Sequence, residues 1–187
     1  VYLEPLAMVL ARKSGSPAKM VMSREEVFRA TGPTSGSVNS VKIGATKDGK
    51  ITAGEATFRF QAGAFPGAPA RPAAMCAFAP YDIENVLSVG IDVVMNRPKS
   101  NAYRAPGSPI AAHAVESVLD ELAGKLGLAP VAFRLQTAPQ DGSKAAYGPT
   151  FRKIGLGETL HAAQAPPPSA PPLRAPHGLG APLALCA

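Results

Sequence analysis

Residues 37–61, with the sequence SVNSVKIGATKDGKITAGEATFRFQ, contain the clearest supersecondary pattern of the chain. Both halves of this stretch alternate between apolar and polar side chains, as strands with one buried face do. The Asp-Gly pair in residues 47–50 suits a tight hairpin turn, because such turns need positive φ angles. We therefore predict a β-hairpin with strands 37–45 and 51–61. Its inward-facing side chains are expected to include Val38, Val41 and Ile43.

Helical patterns lie on both sides of this hairpin. Towards the N-terminus, apolar residues recur at helical spacing from Leu3, and Gly15 marks the expected end of that helix. Ser23 and Glu26 form a capping-box pattern that opens a short helix. The other predicted elements are short strands over 18–22 and 86–95, a loop with one helical turn over 62–79, and helices over 110–126, 130–135 and 156–163.

The order of these elements predicts the fold class. Strands followed by a helical block, without regular alternation, favour an α+β fold, here a mixed sheet with a β-hairpin packed by helices. Residues 165–187 differ from the rest, because they hold seven of the twenty prolines and no acidic residue. We predict that the Pro/Ala-rich tail, 164–187, is disordered or out of frame, with a Pro-rich linker as the alternative.

Charge and composition narrow the function classes. The net charge is +6, but the cations are scattered among acids and form no run, which indicates a solvated surface rather than a nucleic-acid face. The two cysteines, Cys76 and Cys186, give neither a metal signature nor a disulfide framework. No apolar run approaches the roughly 18 residues of a membrane helix. We predict a cytoplasmic protein that has no membrane span and binds no nucleic acid.

No complete catalytic constellation is visible in the sequence. The three histidines lie far apart, and no nucleophile or phosphate-binding motif is present. The most unusual segment is 101–107, NAYRAPG, which places Arg104 just before the longest predicted helix. Backbone N–H groups at a helix N-terminus beside an arginine favour a bound anion or oxo group. The alternative interpretation is a rigid turn that only caps the helix.

Several separated segments, in this order and spacing, resemble the large, molybdopterin-binding subunit of molybdenum hydroxylases of the xanthine dehydrogenase/aldehyde oxidase type. They are residues 19–28 (KMVMSREEVF), 77–86 (AFAPYDIENV), 102–107 (AYRAPG), 114–123 (AVESVLDELA) and 133–135 (FRL). The resemblance extends over about 1–163, which is expected to be part of the first molybdopterin-binding domain. The chain begins at Val1 within a helical pattern, so we expect it to be an internal fragment of a longer protein.

The resemblance implies a chemistry. Members of this family hydroxylate an activated C–H carbon of a small molecule, such as an aldehyde or a (hetero)aromatic compound, with water as the oxygen source. Molybdenum is held by a molybdopterin dinucleotide, and electrons leave through iron–sulfur clusters and FAD on partner subunits or domains. The cofactor carries the redox chemistry, and the protein positions and tunes it.

The resemblance also assigns roles within the 102–107 loop. By that similarity, Arg104 binds the cofactor, with its backbone amide near a molybdenum-bound oxygen, while Ala105 and Pro106 line the substrate side. Xanthine-oxidising members carry an aromatic residue at the position of Pro106, and carbon monoxide dehydrogenases carry a cysteine at that of Ala105. These departures weigh against purines and carbon monoxide as substrates.

Other parts of the family's site are expected outside the chain. The family's GGFGGK loop should precede Val1, and the essential glutamate base should follow Ala163, so no catalytic residue is predicted here and the chain alone should be inactive. A rival hypothesis is a truncated or frame-shifted, non-catalytic polypeptide without cofactor. A basic binding module that uses the Pro-rich tail is a third, although clustered Lys and Arg are missing.

Overall fold

The structure is a computed structural model that describes residues 3–164. The prediction for the tail falls, apart from Gln164, outside the described residues. The helices and strands, in chain order, are α1 (Leu3–Ser14), α2 (Arg24–Ala30), β1 (Ser37–Ala45), β2 (Ile51–Gly63), α3 (Ala70–Cys76), β3 (Asn85–Val94), α4 (Ser108–Leu126), α5 (Pro130–Thr137) and α6 (Leu156–Gln164).

The sheet has the order β1-β2-β3 and is mixed. β1 and β2 are antiparallel, and β2 and β3 are parallel. In the hairpin turn the Thr46 N–H donates to the Lys50 carbonyl over 2.9 Å, and Gly49 has a φ of 90°. The predicted hairpin and the α+β class with a mixed sheet are therefore confirmed.

The two faces of the sheet differ in burial. On β2, alternate residues from Gly54 to Phe60 are buried, and the intervening side chains from Ala53 to Gln61 are mostly exposed, as the alternation predicts. One inward assignment on β1 is wrong. Val38 is 68% exposed, whereas Val41 and Ile43 pack against the core. Alternate strand residues point to opposite faces, so a residue three positions before Val41 must face away from it.

The core lies between the buried face of the sheet and the helices. Phe58 and Phe60 of β2 are fully buried, as are Val115 and Leu119 of α4 and Phe133 of α5. These side chains belong to one hydrophobic cluster that also includes the small residues of α3. The core therefore fixes α4, whose N-terminus follows the 101–107 loop, against the sheet.

The connections before and after the hairpin differ in part from the prediction. The capping box of α2 is present, with the Ser23 N–H donating to Glu26 Oε2 over 2.7 Å. The strand predicted over 18–22 is wrong: these residues pair with no strand, and Val21 is 77% exposed. Within residues 3–164, no helix combines the length and apolarity that crossing a bilayer requires.

Candidate functional site

The loop over 101–107 connects the end of β3 to the start of α4, and backbone hydrogen bonds anchor its first residues. The Ser100 N–H donates to the Ala62 carbonyl over 2.8 Å, and the Asn101 N–H donates to the Pro33 carbonyl over 3.1 Å. Ser100 is buried, while residues 101–104 are exposed. The loop thus leaves the sheet from a fixed point and then runs along the surface.

The C-terminal end of the loop is fixed by Gly107. Its φ of 80° is left-handed, and its carbonyl accepts the Ala111 N–H over 3.0 Å at the start of α4. A Cβ atom at this position would overlap the Pro69 carbonyl and lie 3.0 Å from the Ala73 Cβ. Glycine is therefore required here both by its backbone angle and by the close approach of α3.

The backbone N–H groups in the middle of the loop make no hydrogen bond within the described part of the protein. Among residues 3–164, no protein acceptor pairs with the backbone N–H groups of residues 102–105. The first turn of α4 contains no acidic residue, so nothing in that turn offsets the positive end of the helix dipole. A row of N–H groups beside such a helix end suits a ligand that is rich in oxygen and negatively charged.

The three residues predicted to form the site lie on this loop. Arg104 is exposed, and within the described part of the chain its guanidinium makes no hydrogen bond or ion pair. Ala105 and Pro106 are half-buried. Ala105 has a φ of 61°, which is costly for a residue with a Cβ atom. The donor set and the open cation fit an oxygen-rich anionic cofactor such as a molybdopterin.

A buried cluster of Tyr81, Glu116 and Arg134, which we call the clamp, lies further along α4. The Tyr81 hydroxyl donates to Glu116 Oε1, and Arg134 Nε and Nη2 donate to Glu116 Oε2 over 2.8 and 2.5 Å. Arg134 Nη1 also lies 2.8 Å from Asp120 Oδ1, and it donates to the Pro130 carbonyl over 3.1 Å. The clamp ties the segment after α3 and helix α5 to the middle of α4.

The charges of the clamp stabilise one another. Burial, and then the Glu116 carboxylate, raise the pKa of Tyr81 well above its usual range, so the phenol keeps its proton and remains a donor. Burial alone would lower the pKa of Arg134. The neighbouring Glu116 carboxylate outweighs that effect, so the pKa of Arg134 is raised.

Sequence reasoning gave the clamp residues no role, although all three lie within segments that carry the family resemblance. The available signal was Glu116 itself, a carboxylate next to Val115 on the apolar stripe of the predicted helix. A buried carboxylate needs a buried cation as its partner, and Arg134 on the next predicted helix was a candidate for that cation. No cluster of metal-ligating side chains occurs among residues 3–164.

A cleft of about 670 Å³ adjoins the loop at Ser108, the first residue of α4. α3 contributes Met75 and Cys76 to its wall, and the segment after α5 contributes Tyr147 and Phe151. The Cys76 thiol donates to Ser108 Oγ over 3.2 Å. This cleft could not be predicted from the sequence, because its walls come from distant parts of the chain.

Comparisons with known proteins identify the family. Residues 1–138 match the family model described as molybdopterin cofactor-binding domain. The chain is 34% identical over 161 residues to the nicotinate dehydrogenase large molybdopterin subunit of Eubacterium barkeri, with 83% of this chain and 38% of that subunit covered. It is 32% identical over 130 residues to the aldehyde oxidoreductase molybdenum-binding subunit PaoC of Escherichia coli, with 70% and 18% covered.

A solved structure shows the same fold. The aldehyde oxidoreductase of Desulfovibrio desulfuricans superposes with a TM-score of 0.77 at 26% identity, over 86% of this chain and 18% of that one. The chain thus spans less than two fifths of the length of each of these relatives. The resemblance drawn from the sequence is confirmed, and the chain belongs to the molybdopterin cofactor-binding domain family of xanthine dehydrogenases and aldehyde oxidoreductases.

Proposed function

We propose that this chain is part of the large subunit of a molybdenum hydroxylase and contributes one wall of the molybdenum pocket. The enzyme oxidises an aldehyde or a (hetero)aromatic C–H with water as the oxygen source. The observation that carries this proposal is the row of N–H groups over 102–105, which have no protein acceptor within residues 3–164 and adjoin the N-terminus of α4. The names of the relatives, nicotinate dehydrogenase and aldehyde oxidoreductase, support that range of substrates.

Each residue of the loop then has a defined task. The Arg104 backbone N–H would help to hold the molybdenum cofactor, and its guanidinium would add positive charge there. Ala105 and Pro106 form the substrate side, where their small or rigid side chains leave room for a ring or an acyl group. The bound molybdopterin dinucleotide supplies the redox chemistry. Residues 102–105 bind and orient it through donors that are fixed before it arrives.

The rest of the enzyme lies outside this chain. We assign 1–163 to part of the first molybdopterin-binding domain and 164–187 to a separate tail. Iron–sulfur and FAD-containing partner subunits or domains accept the electrons, and the assembly is cytoplasmic. The chain alone should be inactive, because the base that activates water is expected elsewhere. Most contacts to the cofactor are also expected elsewhere, so purified chain should contain far less than stoichiometric molybdenum by elemental analysis.

A chimera tests the proposal directly. In the E. coli aldehyde oxidoreductase subunit, the matched region is replaced by the corresponding residues of this chain, and molybdenum content and aldehyde oxidation are measured. Arg104→Pro removes the backbone N–H, whereas the control Arg104→Ala keeps it and removes only the guanidinium. We expect Arg104→Pro to reduce kcat by about 100-fold, as the loss of one fixed donor to developing charge does, and Arg104→Ala to reduce it much less.

The outcomes separate the hypotheses. A folded chimera that carries no molybdenum would favour the non-catalytic polypeptide. Equal activity of Arg104→Pro and Arg104→Ala would show that the backbone N–H makes no useful contact. Circular dichroism and thermal unfolding of both variants establish that each is folded.

A further inference from the structure

Strand β3 forms one edge of the sheet, and its outer side is open. Its ten residues, Asn85–Val94, pair with β2 on one side only. Apart from that pairing, the backbone of residues 86–94 makes no hydrogen bond within residues 3–164. The N–H and carbonyl groups that point away from β2 are therefore available to pair with a further strand.

The side chains of β3 that face away from the core are apolar. The register pairs Phe58 of β2 with Gly90, and Phe58 is fully buried, so alternate residues on either side of Gly90 lie on the opposite face of the sheet. These residues are Leu87, Val89, Ile91 and Val93. Leu87 is 59% exposed and Val89 is 36% exposed. An apolar strip thus runs along the open edge.

The edge at β3 lacks the features that usually prevent strand pairing, namely lysine, proline or an outward charge. β3 contains no lysine or proline, and the carboxylate of its one charged residue, Asp92, accepts from the Gly67 N–H over 2.6 Å. The opposite edge strand, β1, differs. It places Lys42 on the outer face of the sheet, 3.4 Å from the Glu55 carboxylate of β2. β3 is therefore the edge better suited to accept another strand.

We infer that an extended segment from the remainder of the large subunit pairs with the open edge of β3 and covers its apolar strip. The inference rests on the proposed function, because it takes this chain as part of that subunit. The chain covers 38% of the nicotinate dehydrogenase subunit and 18% of the aldehyde oxidoreductase chain, so such proteins contain much polypeptide with no counterpart here.

Two further arguments favour this occupant over a second copy of the chain. A segment of the same polypeptide meets the edge at a high effective concentration, whereas a second copy has to associate from solution. Helix α1 also buries none of its residues and exposes Met8 and Val9, so a second apolar surface needs cover at a distance from β3 in the sequence. Additional polypeptide of the subunit can cover both surfaces.

Hydrogen–deuterium exchange of the full chain and of the chimera tests the pairing. We expect the amides over 85–94 to exchange at least about fivefold more slowly in the chimera than in the chain alone, because each new hydrogen bond has to open before exchange. β2 is the internal reference, since both of its sides are already paired within this chain. Its change reports general stabilisation, and the additional slowing of β3 reports the new strand.

Two lysine variants locate the contact. Leu87→Lys places a charge on the apolar strip, so it should remove the additional slowing in the chimera. It should hardly change the thermal unfolding of the chain alone, because Leu87 is already exposed there. Val38→Lys is the matched control: Val38 is an exposed apolar residue on the same face of the sheet but on the opposite edge strand. It should leave the exchange of β3 unchanged. The comparison without substitutions decides the matter even where a variant fails to fold.

Three results would overturn the inference. One is equal slowing of β3 and β2 in the chimera, and another is additional slowing that Leu87→Lys leaves intact. The third is slowing in the chain alone that increases with its concentration, because a second copy would then occupy the edge. Each of these results leaves the proposed function to the molybdenum content of the chimera. A protected β3 in a chimera without molybdenum would instead remove the molybdenum role and retain the strand pairing.

Discussion

The middle of α4 and the loop before its N-terminus differ in how their polar groups are paired. In the clamp, near the middle of the helix, every charged group is buried and paired: Glu116 accepts from both Tyr81 and Arg134. In the loop before the helix, the N–H groups over 102–105 lack protein acceptors within residues 3–164, Arg104 is exposed, and Ala105 holds a left-handed angle. The charged groups of the clamp are paired within the protein, whereas the N–H groups over 102–105 are not.

This difference indicates that the clamp stabilises the fold, whereas the centre of the loop is available for binding. Removing a member of the clamp leaves a buried charge without its partner, which is costly in any protein. The centre of the loop, 102–105, in contrast, has backbone N–H groups that make no hydrogen bond within residues 3–164 and that a ligand can accept from. Both regions adjoin α4, so the clamp fixes the helix whose N-terminus follows the 101–107 loop. We expect variants of the clamp to change the free energy of unfolding and variants of the loop centre to change binding.

The largest effect is expected for Glu116→Gln. It keeps the shape of the side chain but leaves the buried charge of Arg134 with Asp120 as its one neighbouring carboxylate among the described residues, so we expect a loss of about 3–5 kcal/mol in the free energy of unfolding. Urea denaturation followed by circular dichroism measures it. The control is Glu25→Gln, which breaks the exposed Glu25–Arg29 ion pair of α2 and should cost at most about 0.5 kcal/mol. Similar losses for both variants would contradict the assignment of stability to the clamp.

Gly107→Ala tests the point where the loop joins α4, and the next largest effect is expected there. The added Cβ would overlap the Pro69 carbonyl while the backbone keeps a φ of 80°. Strain and overpacking together should cost about 2–4 kcal/mol. Gly124→Ala is the control, since a Cβ at that exposed helical position meets no atom within 4 Å and should stabilise α4 by up to about 1 kcal/mol. Thermal unfolding distinguishes the two, and a neutral Gly107→Ala would show that the loop yields easily.

Sequence periodicity predicts most of the secondary structure of this chain, because each signal is local. The hairpin follows from alternation and an Asp-Gly turn, and the end of α4 follows from Gly127. The parallel pairing of β3 with β2 could not be predicted, since it is set by packing through α3: Gly90 of β3 lies so close to the Ala70 carbonyl that a Cβ would overlap it. No local pattern encodes that contact.

The site was predictable only in part, for the same reason. The 101–107 loop is contiguous, so its motif was visible and its residues lie together in the structure. In the clamp, Tyr81 and Glu116 are separated by 35 positions along the chain, and Glu116 and Arg134 by 18. The walls of the cleft come from segments between α3 and α6. Val38 was wrongly predicted to face inward because its side chain is apolar. The alternation of side chains along a strand places it on the face opposite to Val41.

Tyr81→Phe should have a smaller, pH-dependent effect. At neutral pH it removes one hydrogen bond to a charged carboxylate, which is worth about 1.5–3 kcal/mol. Because the pKa of Tyr81 is raised in the folded state, the stabilisation is complete below the unfolded value of about 10 and declines as the pH rises above it. The difference in unfolding free energy between wild type and variant should therefore narrow from pH 9.5 to 11. A constant difference would contradict the raised pKa.

Ala105→Gly should have the smallest effect, and it tests whether the loop centre stores strain. Glycine accepts a φ of 61° without the steric cost that alanine incurs, about 1–2 kcal/mol, but it gains more freedom in the unfolded chain, about 0.5–1 kcal/mol. The balance predicts a free energy of unfolding that is unchanged or raised by up to about 1.5 kcal/mol, in contrast to the loss at Gly107. Ala102→Gly, a change in the same loop at a residue without a positive φ, should be neutral or slightly destabilising. If Ala105→Gly instead destabilised the chain as much as Glu116→Gln does, the loop centre would contribute to the fold like the clamp, and the separation of stability from binding along α4 would be wrong.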